Sequence, residues 1–288
     1  VLRGFILIWT VNMKNSKMRH YLPPKISGTC VKNIMLVGAG GTGSQILTDL
    51  ARMNHALITL GYEGLNVVTI DPDRVSETNV GRQLYSMSDV GIHKAVVLTT
   101  RLNAFFGTAW KAFPAVLTKS AVIQKNEFDI IVTAVDNVKA RKAAHRVAET
   151  ANIPYWLDTG NMAKTGNVIF GNAGGFFSKQ PTKKGCIERL PNAIDLYGDV
   201  LLSAANEAIQ PPSCSMEASL TKQDLFINKA VSTFAMQILW NCIRKGYIEQ
   251  HGVFINLDTM NVRPLDVNPE TWKSMGWVKP NCRRKYAR

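Results

Sequence analysis

Short apolar runs stopped by glycine or aspartate alternate along this chain with longer stretches in which apolar residues recur every three or four positions. "NIMLVG" (33–38) is the first such run, and its unbroken apolar character is that of a strand buried on both faces. Residues 44–60 follow with Ile46, Leu47, Leu50, Ala51 and Met53 on one side, which predicts an amphipathic helix. "LNVVTI" (65–70) is the next strand and ends at Asp71, completing a βαβ unit. The alternation goes on with a helix over 93–106, a strand over 129–135 ending at Asp136, a helix over 137–151 and strands over 154–160 and 166–171. This order predicts an α/β fold with a doubly wound, mostly parallel sheet.

Between Asn172 and Ser213 the periodicity dissolves under repeated glycine and proline, as in a binding loop or lid. Order returns with a long apolar helix over 225–243, and "VFINLD" and residues 262–267 add further strands. The resulting map has a basic N-terminal arm (1–32), a Rossmann-like nucleotide-binding region (33–171) and an irregular crossover loop (172–215). A C-terminal helix and extra strands (216–270) complete the same domain, and a basic tail (271–288) ends it.

Composition refines this picture in two places. The 288 residues carry a formal charge of +13, but six basic side chains and no acid fall in residues 1–32, and six more with no acid fall in 273–288. The body is therefore nearly neutral, and the charge belongs to the ends, where it can steer an acidic partner or RNA or simply solubilise a terminus. The five cysteines show no C-x-x-C spacing, which points to free thiols in a reducing compartment. "FILIWTV" (5–11) is too short to span a bilayer and is not followed by a small-residue cleavage site, so the expected location is the cytoplasm, without membrane attachment, and the expected natural start is Met13.

The candidate chemistry begins in the turn after the first strand. "GAGGTGSQ" (38–45) has the G-x-G-x-x-G spacing that lets backbone N–H groups approach phosphates at a helix N-terminus. Asp71, at the tip of the next strand, is placed for a ribose hydroxyl. To this point NAD and ATP fit equally. The run "DPDRVSETNVGRQLYSMSDVGIHK" (71–94) separates them: a redox enzyme has no evident use for Asn79, Arg82, Gln83 and Lys94 so soon after the ribose acid, whereas splitting a triphosphate develops charge that fixed cations stabilise. Asp136, at the carboxyl end of a central strand, is placed to hold Mg²⁺.

Taken in order, Gly38, Gly40, Gly41, Gly43 and Ser44, then Asp71, Asp73, Val75, Asn79, Arg82 and Gln83, then Gly91 and Lys94, then Asp136, Asn137 and Arg141 resemble the ThiF/MoeB/ubiquitin-activating enzyme family over about residues 30–245. The pattern looks most like the ThiF-like adenylyltransferases of bacterial mobile-element systems of the PRTRC type. The resemblance implies ATP-dependent adenylation of the C-terminal glycine carboxylate of a small ubiquitin-fold or sulfur-carrier protein ending in Gly-Gly, by a homodimer.

By position it implies that Gly38, Gly40, Gly41 and Gly43 cradle phosphates and Asp71 binds ribose. Asn79, Arg82, Gln83 and Lys94 then contact phosphates, Asp136 binds the metal, and Asn137 lies beside adenine. Asp73 belongs to the same loop and reads as a turn residue at its edge. Arg141 is open between a ligand and an exposed helix charge, and Arg19 is the nearest candidate for an arginine given to the partner's ATP. Cys214 stands where relatives place a thiol that takes the activated carboxylate as a thioester; the alternative is an unreactive cysteine at a helix start. Cys186 and Cys282 lack the partners of a structural zinc site, so no such zinc is expected. A rival reading on the same fold adenylates a tRNA nucleoside carboxylate as a dehydratase, with the basic ends gripping RNA.

Overall fold

The computed structural model describes residues 17–118, 123–173, 180–181, 184–203 and 224–278. The chain opens with β1 (His20–Tyr21) and α1 (Pro24–Ser27), and the main alternation follows: β2 (Lys32–Val37), α2 (Gly41–Thr59), β3 (Leu65–Ile70), α3 (Lys94–Phe106), β4 (Lys111–Phe113), β5 (Ile130–Thr133), α4 (Val138–Thr150) and β6 (Tyr155–Asn161). β7 (Thr165–Asn172), α5 (Ala193–Ser203), α6 (Ile227–Lys245), β8 (Tyr247–Ile248), β9 (Gln250–Asn256), β10 (Asn261–Asp266) and α7 (Pro269–Ser274) complete it.

Eight strands form one sheet in the order β10-β9-β7-β6-β5-β2-β3-β4, parallel from β6 to β4 and antiparallel beyond β6. This is the doubly wound, mostly parallel sheet that the alternation predicts. Right-handed crossovers place α2 and α3 on one face and α4 on the other. α6 packs along α2 and against β6, β7 and β9. The core between these layers is continuous: Ile34, Leu36, Ile46, Leu50, Ile131 and Leu239 have no exposed surface. Burying each such side chain contributes about 1.5–3 kcal/mol.

Several elements differ from the periodicity. β7 runs antiparallel because only three residues separate it from β6, too few for a crossover, and Met162 N–H closes the hairpin on Thr165 O at 2.8 Å. β4 is a three-residue edge strand, largely exposed and too short to announce itself. α5 lies within the segment expected to be irregular. The described half of the N-terminal arm is packed onto the body: Leu22 and Ile26 are buried, Lys25 pairs with Asp129 at 2.6 Å, and Arg19 with Glu249 at 2.9 Å. Lys32 is fully buried, donating to Gly28 O and Cys30 O. At the other end Trp272 and Trp277 are buried against each other, edge to face. Among the described residues no helix is long and apolar enough to cross a membrane.

Candidate functional site

β2 is first in sequence among the parallel strands; the chain leaves it toward β3 and β4 on one side and returns to β5 and β6 on the other. Between β2 and β5 the direction of winding reverses, and the connections diverge to leave a crevice at the carboxyl ends of the strands. A cleft of about 640 Å³ lies there.

Its floor is the glycine turn. Gly38 has φ +94°, and a Cβ on it would stand 2.5 Å from Ala134 O. At Gly43 a Cβ would meet Gly38 O at 2.0 Å, so the helix can approach the strand this closely only without a side chain. Gly43 is thus a packing residue beneath the turn and does not line the cleft, whereas Gly38, Gly40 and Gly41 do. Open space faces Gly40. α2 begins here with no side-chain cap and no acid in its first turn, leaving its N–H groups to an anion.

Asp71 closes β3 and holds this turn. Its Oδ2 accepts from Ala39 N–H at 2.6 Å and its Oδ1 from Asp73 N–H at 2.8 Å. Burial pushes its carboxyl above the usual range, against the pull of those N–H groups and the Lys94 charge. Each oxygen keeps a lone pair for a ribose hydroxyl. The buried Tyr85 hydroxyl donates to Ala39 O at 2.6 Å, which ties the turn to the segment carrying the cations.

Arg82, Gln83 and Lys94 all reach the cleft. Burial lowers the Arg82 guanidinium from its ordinary value, and Gln83 is buried with Oε1 lacking a hydrogen-bond partner among the described residues. Lys94 is buried, and its Nζ donates to Asp73 Oδ2 at 3.0 Å, so Asp73 touches the site through a cation as well as lining the wall. The loop is braced from outside by Arg101, whose guanidinium donates to both Asp89 oxygens at 2.6 Å and to Leu84 O at 3.0 Å.

Asn79, expected to contact phosphates, is engaged within its own loop. It is absent from the cleft wall, and its Oδ1 accepts from Ser76 N–H at 3.0 Å, capping a short 3₁₀ turn. Asp136 and Asn137 stand exposed on the wall after β5. Asn137 Oδ1 caps α4, accepting from Ala140 N–H at 2.8 Å, and its Nδ2 donates to Asp136 Oδ1 at 3.3 Å. Arg141 turns inward, 3.5 Å from the buried Asp158. Arg19 is held within its own chain by Glu249 and over the Tyr247 ring. Cys214 and Cys282 lie outside the described residues.

Two polar wall residues lie outside the motifs read from the sequence, Asn161 and Asn228. Asn228, at the start of α6, accepts from Thr42 Oγ1 at 2.9 Å and from Asn161 Nδ2 at 2.8 Å. A Cβ on Gly41 would stand 2.6 Å from the Asn228 amide, so α6 presses on the glycine turn. The clue available was a lone asparagine in an apolar helical stretch. Facing the turn, Ala115, Val116 and Leu117 after β4 give the cleft an apolar lip.

The sequence profile of the ThiF family matches residues 31–273. The chain is 26% identical over 243 residues to the NEDD8-activating enzyme E1 catalytic subunit of Schizosaccharomyces pombe, covering 81% of this chain and 49% of that protein. It is 34% identical over 117 residues to the protein of that name in Arabidopsis thaliana, covering 40% and 24%. The chain thus spans half or less of the length of these relatives. Among solved structures it resembles E. coli MccB, with a TM-score of 0.56 and 17% identity over 85% of this chain and 63% of that one. MccB has also been crystallised with ATP and with MccA. PaaA superposes with a TM-score of 0.55 and 13% identity, covering 85% and 74%. With its profile matched from the first parallel strand to the last helix, the chain belongs to the ThiF family.

Proposed function

We propose that this chain binds ATP in the cleft and transfers its adenylyl group to the C-terminal carboxylate of a small ubiquitin-fold or sulfur-carrier protein ending in Gly-Gly. The observation that carries this reading is the meeting, at one switch point, of an uncapped helix N-terminus, the ribose acid Asp71, the cations Arg82 and Lys94, and the exposed carboxylate Asp136. In the reaction a carboxylate oxygen of the acceptor bonds to the α-phosphorus while the bond to the bridging oxygen breaks. Pyrophosphate leaves with the electron pair, and no proton moves. The protein positions the two reactants and neutralises the departing charge. Gly38, Gly40 and Gly41 offer backbone N–H groups to the phosphates, while Arg82 and Lys94 face the leaving group and Gln83 lies beside them. Asn137 and the apolar lip at 115–117 flank the base.

Mg²⁺ fits the donor set: Asp136 and Asp73 are exposed carboxylates on the same cleft, and this ion takes one or two carboxylates together with substrate phosphates. When bound it supplies charge neutralisation on the phosphates. The acting form in this reading is a cytoplasmic homodimer. Gly43 supports the turn from below, and Asn79 shapes the loop without touching the nucleotide.

ATP–pyrophosphate exchange with a Gly-Gly carrier is the test. Asp136→Ala is expected to lower exchange by about 100-fold or more while the unfolding temperature stays put; unchanged exchange removes the metal assignment. Cys214→Ser is expected to leave exchange intact and abolish any thioester; if exchange falls with it, Cys214 is structural. The rival RNA reading is weakened by the described N-terminal cations. Lys17 and Arg19 face Glu249, Lys25 faces Asp129, and Lys32 is buried, so each of them has a partner in the fold.

A further inference from the structure

Arg141 stands in the first turn of α4, five residues past Asp136, and its guanidinium spans a gap in the sheet. The β5–β6 ladder ends at the pair Thr133–Asp158. Past that point the chain after β5 stays bonded to β2, with Ala134 N–H donating to Val37 O at 2.9 Å, while β6 stays paired with β7 through Asn161. The strands part as a ligand crevice requires, and two carbonyls, Val135 O and Thr159 O, face each other without a ladder. Arg141 Nη2 donates to both, at 3.3 and 3.1 Å. Its Nε lies 3.5 Å from Asp158 Oδ1, which also accepts from Thr133 Oγ1 at 2.5 Å. Thr133 Oγ1 in turn accepts from Trp156 Nε1 at 2.8 Å, so the guanidinium is anchored in the core.

We propose that Arg141 is the positioning residue for Asp136: by tying Val135 O to Thr159 O it fixes the backbone from which the Asp136 carboxylate projects into the cleft. The planar fork and fixed charge of arginine suit the task, because one rigid group must serve two carbonyls and a carboxylate at once. A lysine keeps the charge beside Asp158 but not the fork. Gly160 belongs to the same device, since a Cβ there would stand 2.8 Å from Arg141 Nη2 and 2.7 Å from Asn167 Oδ1. The inference rests on the proposed role of Asp136 for its functional consequence, but not for its structural one.

Two readouts on the full chain separate these. Hydrogen–deuterium exchange reports the backbone alone. Arg141→Lys is expected to speed amide exchange at residues 135–138 by about tenfold relative to the parent chain and to leave the amides of β2 and β3 unchanged. Unchanged exchange at 135–138, or a uniform rise across the sheet, overturns the proposal. Calorimetric titration of ATP with and without Mg²⁺ reports the carboxylate. Arg141→Lys is expected to weaken the Mg²⁺-dependent part of the affinity about tenfold and to leave binding of metal-free ATP within twofold; equal loss of both overturns it. Gly160→Ala, which displaces the guanidinium without removing it, is expected to give the same two signatures. A parent chain that binds ATP with no Mg²⁺ dependence refutes the metal role of Asp136, while the amide-exchange result still decides whether Arg141 holds the strand.

Discussion

Two glycines of the turn do different work, and alanine separates them. At Gly43 a methyl group would enter Gly38 O at 2.0 Å, so strand and helix must move apart. At Gly40 nothing stands within 4 Å, and the methyl group would point into open space at the cleft. Gly43→Ala is therefore expected to destabilise the chain by about 1–3 kcal/mol, as other overpacking substitutions do. Gly40→Ala is expected to leave the unfolding midpoint in place and to weaken ATP binding at least tenfold. Chemical denaturation and ATP titration of both variants check this; identical behaviour would contradict the division of roles. These residues were legible in sequence because one short loop holds the whole pattern. Asn228 and Asn161 were not: Asn228 meets the turn from 186 residues away, Asn161 lies 67 residues before it, and only the fold brings their amides together. Asn79 shows a different limit of the sequence. It has the correct spacing in the loop, but a side chain that accepts from a backbone N–H two or three residues away is engaged locally, and spacing alone does not reveal that.

Helix α2 meets α6 along a seam that has a polar contact besides the Thr42–Asn228 bond. Asp49 on α2 accepts from Lys229 Nζ at 2.8 Å and from Ser232 Oγ at 3.0 Å on α6. Lys229 is half exposed and its charge is screened, so the serine bond carries most of the energy. Asp49→Ala is expected to lower stability by about 1–2 kcal/mol, with the ATP affinity unchanged. A loss of affinity would mean that the seam also sets the pose of Asn228, one residue before Lys229. The central strands and helices α2, α4 and α6 could be read from periodicity because each buries a regular apolar face. β4, α5 and the β1–β8 pair could not: the strands are only two or three residues long, and α5 is broken at Gly198 inside a glycine- and proline-rich segment.

On the scale of the whole molecule two buried histidines tie β1 and β9 to the body of the fold. His20 Nδ1 donates to Ile187 O (2.7 Å) and its Nε2 lies 2.9 Å from Tyr155 Oη, while His251 Nδ1 donates to Phe170 O (2.8 Å), with its ring edge-on to Trp272. Burial holds both imidazoles near a pKa of about 4. In the unfolded chain each takes up a proton below about 6.5, so between those values the unfolded state binds more protons and acid favours unfolding. The stability they provide is complete above about pH 6.5 and falls toward pH 4, by about 3 kcal/mol for each ring. The unfolding midpoint of the chain is thus expected to drop steeply across that window, and His251→Gln to make the decline shallower; a flat profile would mean the rings are hydrated.

The contact between Asn228 and Gly41 has a consequence for a shortened chain. The phosphate turn is encoded near the start of the body, but the amide that presses on it is encoded almost two hundred residues later. In the proposed reading a chain cut before α6 carries the glycine motif without its brace and is expected to bind ATP more weakly than the full chain in a calorimetric titration.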